Sequence, residues 1–129
     1  MKISKIFNNY SELKIEDIDN IVDLSLLKEI AVNNPDYRIR LNALKRIFDD
    51  KFLFDVSKND SNIQVRLQAV SQITNPDMLA DIAKNSSNKN IRLEALKNIE
   101  NRDVLESISN DDSNRDVRNF ALKKINRDI

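Results

Sequence analysis

The chain has 129 residues, 40% hydrophobic and 33% charged, which suits one domain with its own core. Lys plus Arg and Asp plus Glu both number 21, and a formal charge of zero argues against a bulk polyelectrolyte role. Cysteine, histidine and glycine are absent, which excludes disulfides, thiolate nucleophiles, Cys/His zinc sites, histidine acid–base chemistry, P-loops and Rossmann fingerprints.

From the N-terminus, Met1 to Asn20 holds no apolar stretch of the signal-peptide kind, and no run approaches the roughly 18 apolar residues of a membrane span. The expected location is the cytoplasm, with no membrane contact. The Asn-x-Ser triplets at Asn9, Asn59 and Asn85 are then chance matches in an Asn-rich chain. Residues 1–22 read as an N-terminal cap. Within it, Lys14, Ile15, Ile18 and Ile21 follow the spacing of the units beyond, with Asp17 replacing an alanine.

From residue 23 every position has counterparts 26 residues away, which divides the chain into units 23–48, 49–74, 75–100 and 101–129. Each unit opens on a capping residue: Asp23, Asp49, Asn75 or Asn101, whose side-chain oxygen can accept a first-turn amide. Pro76 suits the first helical position. The helix predicted next, about ten residues long, carries Leu27, Leu53, Leu79 and Leu105, flanked by Leu26, Phe52, Met78 and Val104. Ile30, Val56, Ile82 and Ile108 follow, then the small Ala31, Ser57, Ala83 and Ser109, all on one helical face. Asn33, Asn59, Asn85 and Asp111 close this helix, where they read as left-handed C-terminal residues standing in for glycine.

A second set of caps follows: Asp36, Asn62, Asn88 and Asn114. The second helix, about twelve residues long, carries Arg40, Arg66, Arg92 and Arg118. Around each arginine, apolar residues at −1, +3, +4 and +7 mark one face, for example Ile39, Ala43, Leu44 and Ile47. Leu41, Leu67 and Leu93 give way to Asn119 in the last unit, which reads as a C-terminal cap and a complete domain. Helices this short are unstable alone, so their apolar faces call for neighbouring units. The expected fold is all-α: a right-handed α-solenoid of helical hairpins.

The pattern D/N-P-x-x-L-x-x-I-A followed by D-S-N-x-x-V-R-x-x-A-(L/V)-x-x-I resembles HEAT repeats in their short bacterial and archaeal form. It is most similar to the phycobilisome-lyase-type HEAT-like class, across Asp23 to Ile125. The resemblance implies a protein-binding scaffold whose second helices line a concave face. It also implies that a turn Asp and a second-helix Arg form a ladder between repeats. Lyases in that class are enzymes, but repeat resemblance alone carries no activity.

The arginine column suggests either a phosphate-binding ladder or a structural one bonded to the turn six residues earlier, at Asn34, Asp60, Ser86 and Asp112. The structural reading is preferred. Asp112, Asn114 and Asp116 imitate a calcium loop, but Val117 and Lys123 stand where glycine and glutamate are needed. Asp17 and Asp19, two apart on a helix, do not face each other. Catalysis would fall to carboxylates, lysines, Tyr10 or Tyr37, and no acid–base constellation emerges, so no enzyme and no cofactor or metal is expected.

Charge is polarised: the second-helix segments are net basic and the first-helix segments net acidic. Dipole compensation accounts for part of this. The remainder points to a non-catalytic, monomeric scaffold that takes a protein or acidic peptide segment on its second-helix face. The face comprises Asn42, Lys45, Arg46, Gln68, Ser71, Gln72, Glu94, Lys97, Asn98, Phe120, Lys123 and Lys124. Phe120, in a column of Asn42, Gln68 and Glu94, is either an anchor or part of the C-terminal cap. The alternatives are a nucleic-acid-binding solenoid, disfavoured because no aromatics interleave with the basic residues, and an accessory subunit of a lyase-type enzyme.

Overall fold

The structure, a computed structural model, describes residues 13–127, in which all regular elements are helices. Tyr10, the triplet at Asn9 and most of the 1–22 cap lie outside the described residues. The chain divides into two compact units, 1–72 and 73–129. In the first unit, α1 spans Ile15–Ile18, α2 Leu24–Asn33, α3 Tyr37–Leu44, α4 Asp50–Asn59 and α5 Ile63–Gln72. In the second, α6 spans Pro76–Asn85, α7 Lys89–Leu96, α8 Arg102–Asp111 and α9 Arg115–Asn126. Within the first unit α2 pairs with α3 and α4 with α5 as hairpins, while α1, α3 and α5 pack in succession. Within the second, α6 pairs with α7 and α8 with α9, and like helices again pack on like. This neighbour-on-neighbour packing is consistent with a helical repeat.

All eight sequence-predicted caps accept first-turn amides. Before the first helices, Asp23 takes Leu26 N–H, Asp49 takes Phe52 N–H and Asn101 takes Val104 N–H. Asn75 takes the amides of Asp77 and Met78 at 2.9 and 3.0 Å. Before the second helices, Asp36, Asn62, Asn88 and Asn114 each receive the amide two residues on, at 2.8–2.9 Å. Because Pro76 sets the helix start but offers no acceptor, Asn75→Ala is expected to cost about 1 kcal/mol. A shift in urea midpoint checks this, and an unchanged midpoint would count against the cap.

The helix ends differ from expectation in two ways. No described residue has positive φ, so Asn33, Asn59, Asn85 and Asp111 are not left-handed but end their helices in ordinary helical geometry. The reversal is made one residue later, where Asn34, Asp60, Ser86 and Asp112 are extended, with ψ of 133–139°. Each donates its backbone N–H to the carbonyl four residues back, and its side-chain oxygen accepts the amide two residues on. A turn closed by a side chain needs no glycine. The second helices are also shorter than expected at α3 and α7, eight residues each. Their last turn tightens, with Arg46 and Ile47 N–H bonded to carbonyls three residues back.

The core is built from the repeating columns. Leu27, Leu53, Leu79 and Leu105 are buried, as are Ala43, Ala69, Ala95 and Ala121. The columns fail at Leu122, 48% exposed, and at Ile15, 43% exposed on the four-residue α1, where only Ile18 is sealed in.

Candidate functional site

The arginine column is mainly internal wiring. In the first unit Arg40 Nε and Nη2 donate to the two carboxylate oxygens of Asp60 at 3.0 and 3.1 Å. Its Nη1 donates to the Asn34 carbonyl at 2.9 Å. In the second unit Arg92 repeats this with Asp112, at 2.9 and 3.2 Å, and with the Ser86 carbonyl at 2.8 Å. Both arginines are 8% exposed. The carboxylate lies twenty residues downstream and the carbonyl six upstream, so each guanidinium ties two turns together. Arg118 makes the carbonyl bond alone, to Asp112 at 2.7 Å. Arg66 departs from the pattern: its Nε is buried without a partner, against the expectation that it too bonds its turn.

The residues that imitate a calcium loop take part in the same bonds. Both Asp112 oxygens serve Arg92, and Asn114 caps α9. Among the described residues, no group of three or more acidic side chains is placed to hold a metal ion. No described helix is long and apolar enough to cross a membrane.

The twelve residues expected on the second-helix face separate by their bonds. In the first unit Arg46 Nη1 donates to the Ile18 carbonyl at the end of α1, at 2.6 Å. Gln72 Nε2 donates to the carbonyls of Leu44 and Ile47 beyond α3, at 2.9 and 2.7 Å. In the second unit Lys124 does the same for α7, its Nζ reaching the carbonyls of Leu96, Lys97 and Ile99 at 2.8, 3.1 and 2.7 Å. Lys124 is only 6% exposed, which corrects its expected place facing solvent. The physical reason is that the last carbonyls of a helix have no intrahelical donor. These side chains, Gln72 lying 26 residues and Lys124 78 residues beyond Arg46 in the same register, supply one from the next second helix.

The others are less committed to the fold. Asn42, Gln68 and Ser71 bond within their own helices, to the Arg38 carbonyl, the Gln72 amide oxygen and the Gln68 carbonyl. Lys97 pairs with Glu94 at 3.2 Å on the surface. Lys45, Asn98 and Lys123 are exposed, and Phe120 is half-buried on α9. None of the described ion pairs engages the Lys45 or Lys123 ammonium.

Local charge pairs shift two caps. Arg38 bonds to Asp36, and with the Arg38 backbone amide it holds the Asp36 carboxyl below its usual range, while Asp36 raises the Arg38 guanidinium in return. Lys28, 2.8 Å from Asp49, does the same to that carboxyl, helped by the Phe52 amide. On the first-helix side of the first unit lies an open cleft of about 450 Å³, lined by Val32, Phe52, Asp55 and Val56 among others. Sequence reasoning missed it. The available signal was Val32, 53% exposed, in a column where the other units carry Lys58, Lys84 and Asn110.

Compared with known proteins, the chain matches no family model, no curated protein and no solved structure.

Proposed function

We propose that the helical hairpins form a right-handed, HEAT-like α-solenoid of 26-residue repeats that serves as a non-catalytic scaffold. It takes an acidic segment of a partner protein on the basic face of its second helices. The supporting observation is the division of labour among the cations. Arg40, Arg92 and Lys124 are buried in internal bonds, whereas Lys45 in the first unit and Lys97 and Lys123 in the second are exposed. Arg46 and Gln72 join the face only through what remains of them after capping. Lys45 and Lys123 belong to no described ion pair and Lys97 is held only by its surface pair with Glu94, so all three are available to an anionic partner at little conformational cost to the fold.

The test is a Lys45→Glu, Lys97→Glu, Lys123→Glu variant compared with the parent chain by co-purification from source cells. Stability is expected to change by no more than about 0.5 kcal/mol per site. The captured protein should be lost, and its retention on the parent should fall with rising salt because exposed charges are screened within about 8 Å. Undiminished capture by the variant would overturn the reading. Mixed-sequence oligonucleotides titrated at low salt cover the rival. Tight binding with a steep log–log salt slope, about −0.9 per neutralised phosphate for duplex DNA, would transfer the face to nucleic acid.

A further inference from the structure

We infer that the Arg66 guanidinium is a receptor for a carboxylate supplied by another molecule, an acidic side chain of the partner protein. This rests on the protein-scaffold reading above and assigns it a specific contact. The argument begins with the column. Arg40 and Arg92 each present the Nε–Nη2 edge to an aspartate twenty residues downstream, in bidentate geometry at 2.9–3.2 Å. The residue twenty places beyond Arg66 is Ser86, which has one hydroxyl and no charge. Arg66 belongs to none of the described ion pairs, and its Nε is the one buried side-chain nitrogen or oxygen among the described residues without a hydrogen-bond partner.

A buried N–H without an acceptor is unfavourable, and a guanidinium has no escape by deprotonation. Its planar fork matches a carboxylate in both spacing and charge, which is the geometry the sister arginines use. Arg66 as a residue is half-buried, unlike the buried Arg40 and Arg92, while its Nε itself is covered. Of the two readings of the arginine column, the structural one thus covers Arg40 and Arg92, and ligand binding is left to Arg66.

The experiment uses the intact ¹⁵N-labelled chain and follows the arginine Nε–H resonances, with Arg66→Lys to assign the Arg66 signal. Arg66→Gln gives the same assignment should the lysine variant not fold. Sodium acetate is titrated against sodium chloride at matched ionic strength, followed by a blocked tetraglutamate peptide. The expected result is a saturable shift of the Arg66 signal with acetate and with the peptide, while the Arg40 and Arg92 signals stay in place. A static Arg66 signal, an equal response to chloride, or a response to acetate but not to the peptide would each overturn the proposal. A response to inorganic phosphate at tenfold lower concentration than acetate would overturn it in favour of a tetrahedral anion. No macromolecular partner is present, so this outcome is separate from that of the lysine reversals.

Discussion

Arg92→Ala is expected to lower the unfolding free energy by about 3–5 kcal/mol, because it strands a buried carboxylate. The side chains of Arg92 and Asp112 are 9% and 5% exposed, and the guanidinium also satisfies the Ser86 carbonyl. Removing the arginine leaves Asp112 with the Asn114 amide as its remaining described donor. The contrast is Arg66→Ala, which breaks none of the described side-chain bonds and relieves an unpartnered N–H. It should cost less than half as much, mainly through lost packing of the aliphatic stem. Urea midpoints of the two variants decide the matter. Equal destabilisation would mean that Arg66 has an internal partner after all.

Leu79→Ala is the second large effect, about 2–5 kcal/mol, from lost transfer energy and the cavity left behind. Leu79 is 2% exposed on α6, between the buried Ile82 and Ala83 of its own helix and the helices that α6 packs on, α7 and α8. The upper part of that range applies if the surroundings stay rigid, the lower if α8 settles inward. A loss of less than about 1 kcal/mol, half the lower bound, would show that the leucine column is not what holds the hairpins together. Denaturant slopes measured alongside would reveal whether the two units unfold together or separately.

Much of the hairpin architecture was legible in the residues because it depends on short-range chemistry. Asp23, Asn75 and Asn88 cap helices through amides two or three residues away, and a reader of the chain sees both groups. The apolar columns were legible for the same reason, since helical period alone places Leu53, Val56 and Ser57 on one face. The turn after each first helix was misjudged. An Asn at a helix end suggests a left-handed residue, whereas the next residue's side chain closes the turn in extended geometry.

Sequence by itself determined the positions of the helices, their caps and the inward faces, because these follow from interactions within about one helical turn and from the period of the apolar residues. Only the tertiary structure decided which polar residues are committed to the fold. Lys45 and Arg46 are adjacent cations at the end of α3, yet Arg46 reaches a carbonyl 28 residues away and Lys45 bonds to no described side chain. Lys123 and Lys124 diverge in the same way, one exposed and the other buried against three carbonyls. The acceptors are backbone oxygens, which every residue carries and no residue type announces. Their need for a donor becomes visible only when the next helix is packed against the open end of the last.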